Sequence, residues 1–290
     1  MNSKGFTSGH TACAGCGQAM GARLVIEAAG KNTIVANNTG CLEVFSTKYP
    51  QSCWGVPWIH SLFENAAAVG SGIDAALRYL GKKEAVNVIV QAGDGGTADI
   101  GLQALSGMWE RGHNILSVCY DNEAYENTGV QRSGLTPLYA NTTTSPPGSH
   151  LVLGNLRPKK PMPEIALAHG LPYVATSSVA WPLDVQKKVK KALAVKGPKY
   201  IQIHVPCPLG WRHPPAKTLE VARLAVDTGL YPLIEYEQGK LASARKITKP
   251  KPVEEYLKLQ GRFKHLLARP EAIKLIQDIA NENMEKYGLK

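Results

Sequence analysis

The chain has 290 residues, 44% of them hydrophobic and 19% charged, a balance that supports a full buried core and excludes a disordered or fibrous protein. No apolar run approaches the roughly 18 residues that a spanning helix needs, and the first twenty residues, MNSKGFTSGHTACAGCGQAM, lack the apolar core of a secretory signal, so the expectation is a cytoplasmic protein, off the membrane, with reduced thiols. The net charge of +10 points to an acidic protein partner and away from nucleic acid, because the basic clusters at 187–199 and from Lys240 to Lys251 carry no interleaved aromatics for base stacking.

A loop holding Cys13 and Cys16 leads into a predicted helix at 18–29, a strand at 33–36 and the loop NNTGC. Apolar residues at helical spacing between Leu62 and Leu80 predict a helix over 61–80 lying against a sheet. The run 86–91 reads as a buried parallel strand ending in GDGG. A helix at 97–111 stops at Gly112 and a second buried strand covers 114–120, which makes a βαβ unit with polar residues just beyond both strand ends, where ligands of open α/β sheets bind. From 121 to about 160 the chain is rich in Asn, Thr, Gly and Pro, and a loop that long in a compact domain is functional or covering. Further elements are expected at 162–170, 172–177, 182–196 and 199–205, the last delivering Cys207 into CPLGWRHPP. Residues 217–290 mix a helix, a short strand near 230–236, a Lys/Pro linker at 246–252 and two final helices, and read as an accessory arm for docking. The expected class is α/β, a mostly parallel sheet flanked by helices, with one domain over 1–216 and a C-terminal extension over 217–290.

Two constellations carry chemistry. The first is Gly93-Asp94-Gly95, followed 28 residues after Asp94 by Asn122 in DNEAYENTG. Glycines at a strand end let the backbone approach a diphosphate, and an Asp and an Asn offer the hard oxygen ligands that Mg²⁺ takes. The plain alternative is a tight turn before a helix. With a helix and a strand between the two halves, the spacing resembles the thiamine-diphosphate signature, and that resemblance implies that Asp94, Asn122 and the main-chain carbonyl of Ala124 bind the metal. The second constellation is cysteine: Cys13 and Cys16 form C-x-x-C, Cys41 lies 25 residues further on, and Cys207 opens the late loop. Four thiolates hold either a [4Fe–4S] cluster or tetrahedral zinc, and the spacing alone leaves both open. A redox dithiol is disfavoured, since the pair precedes the first strand. Cys119, inside an apolar strand, reads as core, whereas Cys53 in QSCWGVPW fits either class.

Taken in order, CAGCG, NNTGC, WGVPWIHSLFENAAA, GDGGTADIG, DNEAYENTGVQRSG and CPLGW resemble the β subunits of the multi-subunit pyruvate:ferredoxin oxidoreductases (pyruvate synthases), over roughly residues 5–215. The resemblance implies a thiamine-diphosphate-binding fold with Cys13, Cys16, Cys41 and Cys207 on one [4Fe–4S] cluster beside the thiamine. It further implies a reversible, anaerobic oxidative decarboxylation of pyruvate with coenzyme A to acetyl-CoA and CO₂, with electron transfer to ferredoxin. Thr39 and Gly40, together with Gly93 and Gly95, would approach the diphosphate. Asn127 would lie near substrate and the cofactor's reactive carbon, a turn residue being the alternative, and Tyr125 would pack over the cofactor or fill the loop. His60 is expected at a helix start, as a capping or core group sooner than an acid or base, with Glu64 one turn away.

The glutamate that activates thiamine is missing from the chain, so the resemblance implies an α subunit that completes the site, with γ and ferredoxin-like δ subunits in a hetero-oligomer. Other 2-oxoacids (2-oxoisovalerate, 2-oxoglutarate, an aryl pyruvate, oxalate) are alternative substrates. A non-redox thiamine decarboxylase and a non-catalytic metal-binding scaffold subunit are the competing classes.

Overall fold

A computed structural model describes residues 5–50, 52–148 and 153–290. Helix α1 (Gly17–Ala29) precedes strand β1 (Thr33–Asn37), followed by α2 (Cys41–Ser46), β2 (Trp58–His60) and α3 (Ala66–Tyr79). Next come β3 (Asn87–Gly93), α4 (Asp94–Ala98), α5 (Leu102–Glu110), β4 (Leu116–Asp121), α6 (Met162–Ala168), β5 (Tyr173–Ser178), α7 (Pro182–Ala194) and β6 (Lys199–His204). The chain then forms α8 (Pro208–Trp211), α9 (Thr218–Asp227), β7 (Ile234–Glu237), β8 (Lys240–Ala244), α10 (Val253–Lys258) and α11 (Pro270–Lys286).

Among the described residues the strands make one sheet in the order β2-β1-β3-β4-β6-β5-β7-β8. The first six run parallel; β7 and β8 join antiparallel, β7 on the far side of β5. Strand side chains alternate between two cores, as the two-residue period of a pleated strand requires. Ile89, Val118 and Ile201 face one side, against Val25 and Ile26 of α1 and Val185 and Val189 of α7. Val88, Val90, Cys119 and Tyr200 face the other, against Ala67 and Leu77 of α3 and Met108 and Trp109 of α5. Cys119 is therefore core, and Cys53 is also fully buried among apolar side chains. A third core gathers Trp211, Leu224, Tyr256, Phe263 and Ile276, so residues 217–290 pack against the loop after β6 and extend the same sheet.

Four features depart from the sequence expectation. The helix expected over 61–80 begins only at Ala66, because Asn38 reaches across from the end of β1 and its Oδ1 accepts the Ala66 N–H at 2.7 Å; a remote side chain supplies the cap. Ahead of it, residues 58–60 pair with β1 as an edge strand, so His60 is on a strand and not at a helix start. The helix expected over 97–111 is two helices, since the break falls where Asp99 is drawn outward by the Gly134 N–H (2.8 Å), the Tyr125 hydroxyl (3.2 Å) and Lys160 Nζ (2.8 Å). The antiparallel hairpin of β7 and β8 lies in a segment where only one short strand is predicted from sequence. Among the described residues no helix is long and apolar enough to cross a membrane.

Candidate active site

The parallel strands end on one side of the sheet, and the residues just past β1, β3 and β4 close around a single cleft. Thr39, Gly40, Cys41, Gly93, Asp94, Gly95, Asn122, Ala124, Tyr125 and Asn127 all line it. These come from three separate loops, and the parallel register of β1, β3 and β4 is what brings them together.

At the floor, Asp94 is 1% exposed and Asn122 is 6% exposed. The Asn122 amide lies 2.6 Å from Asp94 Oδ1 and 3.1 Å from the Ala124 carbonyl oxygen, and turning the amide over changes whether an oxygen or a nitrogen faces them. With its oxygen inward, three oxygens converge with no donor between them, the arrangement a hard divalent cation satisfies. With its nitrogen inward the amide donates to both, a second way for the same three groups to be satisfied without an ion. The backbone reverses at Glu123, which takes the left-handed conformation (φ 65) and so points the next carbonyl back toward the Asn122 side chain. The other Asp94 oxygen accepts from the Ser133 hydroxyl. Burial, and then the charge of Asp121, hold the Asp94 carboxyl well above its usual range; a bound dication reverses that.

Glycine matters at two points of the cleft wall. A Cβ on Gly40 or Gly93 would meet nothing within 4 Å, so the missing side chains leave open space for a ligand. Gly95 is different: the Tyr125 ring lies on it, where any Cβ would overlap the ring. Tyr125 is held there by Asp99 (3.2 Å) and is tilted against Phe63 at 5.7 Å between centroids, so it fills the loop and forms a wall of the cleft. The Thr39 hydroxyl is 2.7 Å from His60 Nε2, which makes the exposed His60 a partner of Thr39. Asn127 is exposed on the cleft rim.

The cysteine loops meet beside this cleft. Gly17 donates to the Pro206 carbonyl at 3.1 Å and a Cβ there would clash with it at 2.7 Å, so the start of α1 is pressed onto the segment before Cys207. Thr218 Oγ1 donates to the Gly15 carbonyl at 2.7 Å, and the Thr11 N–H donates to the Phe45 carbonyl at 2.8 Å, tying the same loop to α2 and Cys41. Cys16 Sγ accepts the Ala19 N–H at 3.5 Å and Cys207 Sγ accepts the Gly210 N–H at 3.4 Å, each sulfur capping a helix start. Burial pushes the Cys41 thiol up to about 12, with Glu126, Cys16 and Cys13 adding to it, and the Cys207 thiol is raised by burial, then by Glu126, Cys41 and Cys16. All four cysteines are free. Among the described residues no three His, Cys, Asp or Glu side chains converge on one ion position.

Residues 38–203 match the family described as thiamine pyrophosphate enzyme, C-terminal TPP binding domain. The chain is 56% identical over 288 residues to pyruvate synthase subunit PorB of Methanosarcina barkeri, covering 98% of this chain and 97% of that protein, and 55% identical over 290 residues to PorB of Methanocaldococcus jannaschii, covering 98% and 96%. The chain belongs to this family of thiamine pyrophosphate enzyme subunits. Ketoisovalerate oxidoreductase subunit VorB of Pyrococcus abyssi is a further relative, 48% identical over 97% of this chain and 91% of that protein. The fold is also that of a 2-oxoglutarate:ferredoxin oxidoreductase from Magnetococcus marinus, with a TM-score of 0.59 at 24% identity over 77% of this chain and 80% of that one.

In this PorB-family chain the cleft contains residues the sequence did not single out. Gln18, Asn37 and Glu126 line it, and each keeps a buried side-chain oxygen without a partner: Gln18 Oε1, Asn37 Oδ1 and Glu126 Oε1. Burial pushes the Glu126 carboxyl up to about 8, and Glu126 stands between the Asn122 turn and Cys207, so close to Gly210 that any side chain there would overlap it. Asn37, at the last position of β1, carried a usable signal: a polar residue ending an apolar parallel strand. Beneath the turn lies a buried charge network. Lys159 Nζ pairs with Asp121 Oδ2 and Glu123 Oε1, each at 2.8 Å, and Arg262 pairs with Glu123 Oε2. Burial alone would raise the Glu123 carboxyl, but Lys159 and Arg262 bring it down to about 2.

Proposed function

We propose that this chain is the thiamine-diphosphate-binding β subunit of a cytoplasmic enzyme that oxidatively decarboxylates pyruvate with coenzyme A to acetyl-CoA and CO₂ and passes the electrons to ferredoxin. The observation that carries the reading is the meeting of the Asp94 carboxylate, the Asn122 side-chain amide and the Ala124 carbonyl in a buried cleft within the matched domain. Pyruvate is favoured over 2-oxoisovalerate by the higher identity to PorB, 56% against 48% to VorB.

In this reading Asp94, Asn122 and the Ala124 carbonyl hold Mg²⁺, which neutralises the diphosphate. The open backbone at Gly40 and Gly93 lets the chain approach that diphosphate, and Thr39, fixed by His60, offers it a hydroxyl. Tyr125 and Phe63 form an apolar wall, and Asn127 on the rim hydrogen-bonds the substrate. Bound thiamine would supply a carbon able to add to the 2-oxo group and to hold the electron pair left by CO₂, and a [4Fe–4S] cluster beside it would supply single-electron transfer. Cys13, Cys16, Cys41 and Cys207 hold that cluster. The sulfurs of a cube stand farther apart than those around one ion, and backbone N–H bonds to Cys16 and Cys207 stabilise thiolates. A reducing cytoplasm suits ligands that must arrive as thiols. An α subunit brings the glutamate this chain lacks, γ and ferredoxin-like δ subunits complete the complex, and residues 217–290 offer a docking surface for them.

The test is the complex purified without oxygen, assayed for thiamine, magnesium, iron and sulfide, and for ferredoxin reduction by pyruvate and by 2-oxoisovalerate with coenzyme A. One thiamine per β chain with pyruvate-dependent reduction is expected. Preference for 2-oxoisovalerate would overturn the substrate, and zinc in place of iron would overturn the electron path.

A further inference from the structure

Arg262 lies in the short 3₁₀ helix Gly261–Leu266, far from every motif of the active site in sequence, and is 3% exposed. Its guanidinium does two things at once. Nη2 pairs with Glu123, the residue between Asn122 and Ala124, while the guanidinium carbon lies 3.8 Å from the Trp211 ring centroid, stacked on its face. Trp211 in turn ends the turn that Cys207 caps, and its Nε1 donates to the Asn122 carbonyl at 2.7 Å. The backbone around Arg262 is pinned to the same loop, for Gly261 donates to the Arg212 carbonyl at 3.1 Å and a Cβ on Gly261 would press on Arg212 at 2.7 Å. Nε is taken by Gln260 Oε1 at 2.9 Å, so the plane of the group is fixed.

We propose that Arg262 is a positioning residue that locks the metal-binding turn and the Cys207 loop into one rigid unit, setting the geometry between thiamine and cluster. The charge acts on the turn through Glu123 and the flat face acts on the cysteine loop through Trp211. Only arginine joins the two, because a lysine keeps a point charge but offers no plane to stack. Two buried carboxylates, Asp121 and Glu123, are balanced by two cations, Lys159 and Arg262. Without Arg262, Glu123 is left to share Lys159, and the turn carrying two of the three metal oxygens loses one of its supports while Trp211 and Thr136 still hold its backbone.

The inference rests on the thiamine and cluster assignment above. Its test uses the whole complex, purified without oxygen, carrying Arg262→Met or Arg262→Lys. Mg²⁺ affinity in the presence of thiamine diphosphate is measured by equilibrium dialysis, and the dithionite-reduced spectrum by electron paramagnetic resonance. Clusters in other subunits are common to all samples, so the wild-type-minus-variant difference isolates the one in this chain. Arg262→Met is expected to weaken Mg²⁺ binding by about 10- to 100-fold, the usual effect of removing a support of a metal ligand, and to change the spectrum. Arg262→Lys is expected to restore most of the Mg²⁺ affinity and leave the spectrum altered. Native affinity and a native spectrum in Arg262→Met overturn the proposal. If that variant fails to assemble, a native spectrum in Arg262→Lys overturns it. A wild-type complex without thiamine or without the cluster defeats the earlier reading instead, which keeps the two failures apart.

Discussion

The two ends of the sheet both bury charge, and they bury it differently. At the amino ends of the strands, Asp74 is fully buried but closed by Arg78 at 2.6 Å and Lys83 at 2.8 Å, and Lys83 also donates to the Asn114 carbonyl at 2.9 Å. Lys199, 2% exposed, has its Nζ on Asn114 Oδ1, and burial, with the nearby charge of Lys83, pushes it down to about 7. At the carboxyl ends, acceptors face one another across a cleft, and Gln18, Asn37 and Glu126 keep oxygens with no partner. A shifted pKa reports burial at either end. Acceptors that converge without donors mark the end that binds a ligand.

Substitutions separate the two ends most sharply through activity. Asp94→Ala is expected to lower pyruvate-dependent ferredoxin reduction by ~1,000-fold, the scale of a lost metal ligand, and to abolish thiamine retention on gel filtration. Retained thiamine in that variant would place the metal elsewhere. Cys207→Ser is next: thiamine content stays native while iron falls and ferredoxin reduction drops to background, and a variant with full iron would remove Cys207 from the ligand set.

At the other end the expectation is stability without activity. Lys199→Met should leave turnover native and raise stability by up to roughly 4 kcal/mol at pH 7, from a lysine held near 7 when folded and 10.5 when unfolded. The wild type binds fewer protons folded than unfolded between those values, so its stability rises with pH from 7 toward 10.5 and the variant's advantage shrinks. Denaturant melts at pH 7 and 10 read this directly, and a constant difference would contradict it.

The smallest effect returns to the carboxyl ends. Burial pushes His204 down to about 3 from 6.5, so stability is full above pH 6.5 and falls as pH drops toward 3, by about 2 kcal/mol at pH 5. His204→Gln should flatten that acid limb. If the slope is unchanged, the acid sensitivity belongs to Glu123, whose contribution is present above 4.5 and lost toward 2.

The sequence exposes the floor of the site because Asp94, Asn122 and Ala124 sit in short motifs at strand ends, where the fold class itself says ligands bind. The four cysteines stand out in the sequence by their C-x-x-C pair and their places in Gly- and Pro-rich loops, and the fold brings those loops beside the cleft. Gln18 and Asn37 lie inside elements read as helix and strand, and only the packed sheet decides which of their faces reaches the cleft. Arg262 is 139 residues from Glu123, with no local pattern to connect them. The misplaced start of α3 is similar: its cap, Asn38, is 28 residues upstream.

Strand β5 is flanked by β6 and by β7, and β7 in turn by β8, whose outer side begins with Lys240 and is mostly exposed. A chain stopped at residue 216 would strip that cover and bare the buried, Val- and Tyr-bearing edge of β5 to any other unpaired strand. Shortened versions ending there should therefore self-associate when expressed, and the last seventy or so residues guard the whole chain against aggregation.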